Sequence, residues 1–581
     1  MKIRAICAGA SAVPMMIFAA HAVTPPEQYK TYLARAQTIT PATEFGDQIS
    51  LRDGKLSFRQ VDVELLGNGP PIRIIRTTTL DDGLGKEPGS GNGMGGWELE
   101  IPRIKTITSD APAGMRNQPI SAGSPVGWQV SAADKNARCT NFSSPATVSY
   151  PTAGIAFGPA NWWFGYQLVD AQGEEQSLFR RAAEMPEQHF RIGTASNWVV
   201  ECLPTTANGE PGEAFLAMSP DGTRYWFDYL AYTPYDGLSM DFENMPPKGY
   251  TLVYTLPRRA AFMLVTRIED RFGNWLTYQY DSGKLTSILA SDGRSITIGS
   301  PGTAISSVTA GAGTTARTWS YQYGTGFVVT QPDGSSWRYV GNFGREFFSA
   351  YGFENCSQLY SGEPSATRQV SVTAPSGATA TFTLQQRIFG RSYVPKYCAG
   401  GGGLMNPDAG YALIPRLWIG QAITSKVVSG PGVTPHGWTY SYSSHNGTWA
   451  ENCTGNSCAA SVWTDVEDSM ARRVRSYFSN KWGQTENKIL KEETYDGVGA
   501  LMSTVEYAYA TTPSNAANPF PWPLRIGASL DYNVNEEVSL RWTPLLRRTV
   551  TQDGIRFIHS VNSYDQYARP TSVTKSSAPA P

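Results

Sequence analysis

The sequence predicts an all-β protein built from short antiparallel strands and tight turns, with one short helix near the N-terminus. The 581 residues include 57 glycines and 39 prolines, which is typical of a chain with many turns. Aromatic residues make up 12% of the chain, and aromatic side chains favour strands. Asp-Gly and Asn-Gly pairs recur along the chain between stretches of alternating polar and apolar residues, which is the pattern of β-hairpins.

The first 22 residues predict a secretory signal peptide. A positively charged start precedes an apolar stretch from Ala5 to Ala20, and Ala20-His21-Ala22 fits the pattern that precedes signal cleavage. We therefore expect a mature chain that begins near Val23 and is exported to the periplasm, the cell surface or the medium. No later stretch is long and apolar enough to cross a bilayer, so we expect no transmembrane segment after signal removal.

The remaining elements follow from periodicity. Pro25 to Thr38 has apolar residues at helical spacing and predicts the short helix. Trp97 to Ile101 and Thr277 to Tyr280 alternate with period two and predict strands, and Val328 to Tyr339 predicts a hairpin. Each Asp-Gly or Asn-Gly pair predicts a two-residue type I′ turn, because these residues tolerate positive φ.

Six cysteines remain after signal removal, and export predicts that they form disulfides. Cys453 and Cys458 flank a turn-like segment and are the candidate pair that the sequence supports best. Chain order alone suggests Cys139 with Cys202 and Cys356 with Cys398. A zinc site is the alternative at Cys453 and Cys458, because His436 and His445 lie nearby, although the spacing matches no compact zinc finger.

Composition and motifs point away from several classes of protein. The formal net charge is −1, which argues against nucleic-acid binding, since that requires clustered cations. No nucleophile elbow, zinc-protease helix or calcium loop is present, so we predict no catalytic residues, no bound metal and no cofactor. Gly91 to Gly96 has the letters of a dinucleotide motif but leads into a strand rather than a helix.

Two groups of residues are candidates for carbohydrate chemistry. Glu98 and Glu100 lie on one face of a predicted strand and could act as paired carboxylates, although a solvated strand face explains them more simply. The aromatic cluster offers candidate rings for stacking on a glycan, with core packing as the alternative. Its members are Trp162, Trp163 and Tyr166.

One window, from Arg267 to Ile298, contains a strand-turn-strand unit. Gly273 opens it in a tight turn, Tyr278 and Tyr280 share one strand face, and Asp281 and Gly283 form the next turn. The turn roles of Asp270 and Asp281 argue against a catalytic role. Fragments of the unit recur unevenly, as Tyr-x-Tyr at Tyr321, Tyr440 and Tyr507 and as Tyr-Asp at Tyr495-Asp496 and Tyr564-Asp565.

This unit resembles the YD repeat of the Rhs family, whose motif is Gly, spacer, Tyr-x-Tyr-Asp, two residues, Gly-Arg-Leu. The window from Asp270 to Arg294 carries the likeness, with Lys284 in place of the usual Arg. Phe45–Leu51, Gly54–Phe58 and Gly95–Pro102 are similar to the entry region of secreted bacterial Rhs proteins. We therefore divide the chain into a signal peptide (1–22), an entry region (23–107), a β-rich region without resemblance (108–250) and a YD-repeat-like region (251–581).

The resemblance implies a β-ribbon that spirals into a shell, here a partial one. In longer members the shell encloses a C-terminal toxin released by cleavage at an Asp-Pro-x-Gly motif, which this sequence lacks, so toxicity is not carried over. We expect a noncatalytic exported scaffold that acts at a surface or within a toxin-encapsulating system. Its implied partners are glycans or a second Rhs-like polypeptide. A secreted carbohydrate-binding or carbohydrate-active protein is the alternative.

Overall fold

The computed structural model describes residues 44–80, 89–110, 126–130, 133–150, 155–158, 163, 165–180, 190–243, 251–302, 304–341, 343, 366–396, 398–399, 411–412, 416–454, 458–482, 485–511 and 544–581. Its regular elements are 36 β-strands and two 3₁₀ turns, Gly313–Thr315 and Ala450–Asn452. The all-β prediction is therefore confirmed. The expected signal peptide and the expected helix at Pro25 to Thr38 lie outside the described residues.

The entry region forms a five-stranded antiparallel sheet, which we call the N-terminal sheet. Its spatial order is β1-β2-β3-β5-β4. The strands are β1 Asp47–Ile49, β2 Leu56–Leu65, β3 Ile72–Leu80, β4 Gly93–Met94 and β5 Trp97–Leu99.

The rest of the described chain is dominated by one long antiparallel sheet, which we call the ribbon. Its first half contains β6 Arg103–Ser109, β9 Gln167–Val169, β10 Glu175–Ser177, β11 Phe179–Arg180, β12 Ile192–Gly193, β13 Val199–Leu203, β14 Ala214–Met218, β15 Arg224–Glu243, β16 Thr251–Glu269, β17 Trp275–Asp281, β18 Lys284–Ala290, β19 Ser295–Gly299, β20 Ser307–Ala310, β21 Arg317–Tyr323, β22 Gly326–Thr330 and β23 Ser336–Val340.

The second half contains β24 Thr367–Thr373, β25 Thr379–Gly390, β28 Leu417–Gly430, β29 Val433–Tyr442, β30 Ser461–Asp468, β31 Arg473–Ser479, β32 Ile489–Tyr495, β33 Leu501–Tyr509, β34 Leu545–Gln552, β35 Ile555–Tyr564 and β36 Pro570–Pro579. Two separate hairpins are formed by β7 Val148–Tyr150 with β8 Ile155–Phe157, and by β26 Cys398–Ala399 with β27 Tyr411–Ala412.

Strands of the ribbon pair mainly with their neighbours in sequence, as expected for successive hairpins. The exception is β6, which pairs with β9 and also with the middle of β16, so the strands from β9 to β16 lead back to β6. The pairing establishes a long antiparallel sheet, as the resemblance implied. Enclosure of a hollow interior is part of the proposal made below.

The turns differ from the two-residue type I′ turns that we predicted. Asp553-Gly554 follows the prediction, since both residues have positive φ and the flanking residues pair directly. At Asp221, Asp292 and Asp333 the loops instead have three residues, and only the following glycine has positive φ. In these loops the aspartate accepts a hydrogen bond from the amide two residues on, which does not require a left-handed aspartate.

The N-terminal sheet packs on the ribbon through one shared apolar core. Phe58 of β2 contacts Tyr339 and Phe382 of the ribbon, with ring centroids 6.3 and 5.3 Å apart. Trp97 of β5 lies 4.7 Å from the ring of Tyr339. Burial of several large rings at this contact is the main favourable contribution to docking.

Two buried ion pairs lie in the same core. Lys426 of β28 places Nζ 2.7 and 2.9 Å from the carboxylate oxygens of Asp47 on β1. Arg76 of β3 pairs with Asp62 of β2 at 2.9 Å, and it donates to the hydroxyl of Tyr339 at 2.7 Å. Arg76 also lies 4.5 Å from the ring of Trp97. The Lys426–Asp47 pair and the bond from Arg76 to Tyr339 join the N-terminal sheet to the ribbon, and each charge would be costly to bury without its ion-pair partner.

Candidate functional site

The second tyrosine of each Tyr-x-Tyr pair, and Tyr564, have one structural role along the ribbon. Tyr280, at the end of β17, donates its hydroxyl to the carbonyl of Val265 on the preceding strand at 2.6 Å. The same bond recurs at four later hairpins. The donor and acceptor residues there are Tyr323 and Ile305, Tyr442 and Ile423, Tyr509 and Ile489, and Tyr564 and Leu545.

Each of these tyrosines closes the open end of a hairpin. In each case the carbonyl lies beyond the last backbone pair between the two strands of the hairpin, and the tyrosine hydroxyl donates to it. Burial raises the pKa of Tyr564 to about 12 and that of Tyr442 well above the ordinary value. These hydroxyls therefore remain protonated donors, and their role is structural rather than acid-base.

The aspartates of the repeat cap the turns. Asp496 and Asp565 each accept two backbone amides through Oδ1, from the residues two and four positions later, at 2.8 to 3.0 Å. Asp270 does the same, and Gly273 has φ +85° in that loop. Asp281 departs from our expectation, because it accepts the hydroxyl of Ser282 instead of a backbone amide.

The expected turn at Gly283 is present and touches a second element. Gly283 has φ +82°, and its amide donates to the hydroxyl of Tyr229 at 3.0 Å. Asn92 of the entry region donates to the Gly283 carbonyl at 3.1 Å and accepts the amide of Leu285 at 2.7 Å. The repeat therefore also binds the glycine-rich loop at 91–96, which leads into β5 as predicted.

The candidate glycan-stacking rings lie in the core. Tyr166 is 5% exposed and stacks on Trp128 with centroids 5.6 Å apart. Trp163 is 9% exposed and donates its indole N–H to Thr106 at 3.0 Å. Neither ring presents a face to solvent, so the core alternative is correct for both. Trp162 lies outside the described residues.

Two disulfides stabilise the described chain. Cys139 is bonded to Cys202, and Cys453 is bonded to Cys458. The second bond consumes both thiols of the zinc alternative, so that set of ligands is incomplete. Cys356 lies outside the described residues, so its suggested pairing with Cys398 stays a prediction.

The paired glutamates have structural partners. Glu100 forms a bidentate ion pair with Arg59 at 2.7 and 2.9 Å, and this hydrogen bonding raises the pKa of Arg59. Glu98 accepts the backbone amide of Ser90. The buried side chains of Trp97 and Leu99 lie on the opposite strand face, as the alternation predicted.

A cavity of about 310 Å³ separates the N-terminal sheet from the ribbon. The sheet contributes the β2–β3 turn (68–71) and the end of β5. The ribbon contributes three hairpin turns, at 170–172, 221–223 and 270–272. The apolar wall of the cavity includes Ile74, Leu99, Ile101, Leu276, Leu285 and Ile288.

The β2–β3 turn is held in place by the segment that follows the repeat's return strand. Asp292 accepts the amide of Asn68 at 3.1 Å, and Arg294 donates to the carbonyl of Pro70 at 3.2 Å. Asp292 and Arg294 also pair with each other at 2.8 Å. The Asp-Gly-Arg segment of the repeat therefore positions one edge of the cavity.

Four carboxylates surround the cavity: Glu100, Asp170, Asp221 and Asp270. Hydrogen bonds hold the pKa of Asp221 below its ordinary value, chiefly from Ser219 and then from Thr223. At Asp270 burial opposes ionisation, but hydrogen bonds from Asn274 outweigh it and lower the pKa.

Asp170 behaves differently from the other turn aspartates. It is 5% exposed, and burial raises its pKa although its Oδ1 accepts the amides of Gln172 and Glu174. The carboxylates of Glu174 and Glu100 raise the pKa further. Asp170 is therefore a buried carboxylate whose charge is poorly compensated.

Two tyrosine hydroxyls complete the lining. Tyr225 is 5% exposed, and its hydroxyl makes no hydrogen bond to any residue in the described ranges. Tyr278, the first tyrosine of the repeat's Tyr-x-Tyr, likewise has no hydroxyl partner among those residues. Burial raises the pKa of both phenols well above the ordinary value, so both are neutral at physiological pH.

Our sequence analysis did not identify this site. Asp170 and Asp221 have no sequence neighbours that suggest a ligand, and we treated Asp270 only as a turn residue. The available signal was the shared turn position of Asp170 and Asp270, each followed three residues later by glycine. That pattern predicts a turn, but it does not predict that these two turns and the turn at Asp221 meet around one cavity.

The described part of the chain contains no helix of the length and apolarity needed to cross a membrane. Comparisons with known proteins give little further information. No protein-family model matches the chain, and no curated protein matches it. Among solved structures it has a weak similarity to a chain in "Crystal Structure of TcdB2-TccC3-TEV", with 12% sequence identity and a TM-score of 0.16. The match covers 95% of this chain and 28% of that chain, and its TM-score is too low to support an argument about fold or function.

Proposed function

We propose that this chain is a noncatalytic, exported scaffold of the Rhs-like, YD-repeat type, whose ribbon encloses or displays other molecules. The observation that carries the proposal is that tyrosine and aspartate side chains of the repeat form structural hydrogen bonds at several successive hairpins. Five tyrosine hydroxyls bond to backbone carbonyls, and the repeat's aspartates at 270, 496 and 565 cap turns. These acidic and phenolic groups help to build the ribbon, which supports a structural role for it.

The packing of the N-terminal sheet supports enclosure. A ribbon that encloses another molecule needs an element that fixes its inner face. The N-terminal sheet can serve this role, because it shares one apolar core with strands from β6 to β30. The ion pair of Lys426 with Asp47 joins residues 379 positions apart in sequence. On this proposal the N-terminal sheet fixes the positions of distant ribbon strands relative to one another.

The last strand supports a role in binding a partner. Nine of the ten residues of β36, Pro570–Pro579, are exposed, so this strand is not covered on either face. Exposed strands can add a strand from another chain. We propose that a second Rhs-like polypeptide pairs with or covers this strand.

Two observations support export. The disulfides at Cys139–Cys202 and Cys453–Cys458 are of the kind that persist in oxidising compartments. The residues of the expected signal peptide have the composition of a secretory signal. Fractionation of cells that express the whole chain, with detection of the N-terminus of the mature protein, tests this part of the proposal.

The alternative of a carbohydrate-binding or carbohydrate-active protein loses four of its candidate residues, but Asp170, Asp221 and Asp270 are carboxylates from distant strands that meet at the cavity and that such a protein could use. Trp163 and Tyr166 are buried, and Glu98 and Glu100 are bonded to backbone and to Arg59. A glycan array and a panel of polysaccharide substrates test this alternative directly. Retention of a glycan by folded wild-type protein would favour it over the scaffold.

Partner binding is tested by hydrogen exchange. The protein is mixed with a candidate second Rhs-like polypeptide, and the mixture is separated by size. We expect a complex in which the amides of β36 gain protection while those of β17, inside the ribbon, do not change. No complex, or a complex that leaves β36 unprotected, would contradict this role of the strand.

A further inference from the structure

We propose that the cavity between the N-terminal sheet and the ribbon binds a small amphipathic organic cation, an amine or guanidine that carries an apolar group. The ligand has two sources of the same chemistry: a free small molecule, or a lysine or arginine side chain of another protein. This inference does not depend on the scaffold proposal.

The charge of the lining selects for a cation. Four carboxylates line the cavity, and Arg73 is the one cation among the lining residues in the described structure. Arg73 is itself paired with Glu64 at 2.7 Å. Glu100 is neutralised by Arg59, which leaves Asp170, Asp221 and Asp270 without a basic partner at hydrogen-bond distance. Carboxylates around a low-dielectric cavity concentrate cations there.

Two buried polar groups lack a partner that such a ligand would supply. Tyr225 is 5% exposed and its hydroxyl is unbonded within the described residues. Tyr225 lines the cavity together with Tyr278, Asp170 and Asp221. Asp170 uses Oδ1 for its turn, and Oδ2 accepts no bond from the same set of residues. Both oxygens can accept N–H donors from an ammonium or guanidinium group.

The apolar wall of the cavity indicates that the ligand also carries an apolar group. Ile74, Leu276 and Ile288 contribute branched aliphatic surface, which matches an alkyl or aryl group and offers no hydrogen bonds to the many hydroxyls of a sugar. A bare metal ion requires several converging oxygen ligands, and the described residues contain no such cluster. The volume of about 310 Å³ suits a small organic molecule.

The test uses the whole secreted protein and four probes: n-hexylamine, n-hexanol, hexanoate and a short lysine-containing peptide. We expect saturable binding of n-hexylamine in calorimetry at neutral pH, with n-hexanol and hexanoate at least about tenfold weaker because they lack the positive charge. Binding should weaken as salt concentration rises. If n-hexylamine displaces a bound peptide, the natural ligand is assigned to a side chain of another protein. If the amine binds and the peptide does not, the natural ligand is assigned to a free small molecule.

Two variants and a matched control locate the site. Asp170→Asn keeps the oxygen that caps the turn and removes the charge, so it should weaken n-hexylamine about tenfold without unfolding the protein. Tyr225→Phe should weaken it about threefold, since one acceptor is lost. Asp496→Asn makes the same change in the same kind of turn, away from the cavity, and should leave affinity unchanged.

Several results would overturn the proposal. These are the absence of saturable amine binding, equal binding of n-hexanol or hexanoate, and equal effects of Asp170→Asn and Asp496→Asn. Circular dichroism and melting curves for each variant separate loss of the site from loss of the fold. Failure here would leave the scaffold proposal intact, because that proposal is tested by partner binding at β36.

Discussion

Replacing Lys426 with methionine should release the N-terminal sheet from the ribbon. Lys426 and Asp47 are each 1% exposed, and they join β28 to β1. Methionine preserves most of the length and apolar surface of lysine but removes its charge and all three donors. Asp47 is then left as a buried carboxylate without a cation.

The expected cost follows from the burial of the pair. Breaking a fully buried ion pair by removing one partner costs about 3–5 kcal/mol. A 581-residue chain that unfolds as one unit has an unfolding entropy of about 1.2 kcal/mol/K, from about 2.1 cal/mol/K per residue. The melting temperature should therefore fall by about 2–4 °C. A control variant, Arg472→Met, breaks the partly exposed pair with Asp468 and should change stability by no more than about 1 kcal/mol.

The double variant Asp47→Leu/Lys426→Met separates the charge from the packing. Replacing a whole buried ion pair with apolar residues is often neutral or stabilising. The double variant should therefore recover most of the stability lost in Lys426→Met. Denaturant unfolding followed by tryptophan fluorescence measures all four proteins, because Trp97 and Trp438 lie in the affected core.

The pH dependence of the free energy of unfolding provides a second check on the role of the Lys426 charge. Burial raises the pKa of Asp47 against the opposing effect of Lys426, and removing Lys426 raises it further. A carboxyl with a raised folded-state pKa favours folding below its unfolded-state pKa, which is about 3.9, and this contribution is lost as pH rises. The deficit of Lys426→Met should therefore be largest near neutrality and should shrink toward pH 4. An equal deficit at both pH values, or a double variant as unstable as the single one, would refute this account.

Three further changes test the repeat and its supports. Tyr280→Phe should cost about 1 kcal/mol in denaturant unfolding, because the Val265 carbonyl loses its donor; no cost would mean that water replaces the hydroxyl fully. Cys139→Ala/Cys202→Ala, which opens a link across 63 residues, should cost about 4 kcal/mol on the chain-entropy account, and an unchanged melting temperature would argue against it. Because hydrogen bonds lower the pKa of Asp270, its stabilisation should be intact above about pH 4 and lost as pH falls further; Asp270→Asn should remove that part of the acid dependence, which a pH series of melting curves measures.

Local features of this fold could be predicted from the sequence where one strand or one turn determines them. The alternation at 97–101 places Trp97 and Leu99 in the core and the glutamates on the other face, as the structure shows. The turn at Gly283 was also predictable, because glycine tolerates positive φ. The type I′ prediction failed at Asp292 because the residue before it changes the loop length, and an Asp-Gly pair alone does not specify that length.

Features that depend on distant strands were not predictable. Core packing was the favoured prediction for Trp163 and Tyr166, but nothing near them in sequence reveals that Trp128 and Phe142 pack on Tyr166, which in turn packs on Trp163. The Lys426–Asp47 pair is hidden for the same reason, since its partners are 379 positions apart. A strand's apolar face is visible in its sequence, but the element that packs on it is not.

The cavity shows how one structural motif can acquire two electrostatic characters. Asp170 and Asp270 occupy the same position in the same three-residue loop, and each caps it with two backbone amides. Asp270 stays ionised because Asn274 bonds its second oxygen, whereas Asp170 is buried beside Glu100 with its second oxygen unbonded among the described residues. Burial, Glu174 and Glu100 raise the pKa of Asp170, whereas hydrogen bonds from Asn274 lower that of Asp270, so the turn explains the presence of both aspartates but not the difference in their pKa. Asp170→Asn changes only the cavity and should therefore alter ligand binding. Lys426→Met weakens the attachment of the N-terminal sheet and should alter both ligand binding and stability. Comparison of the two variants separates these effects.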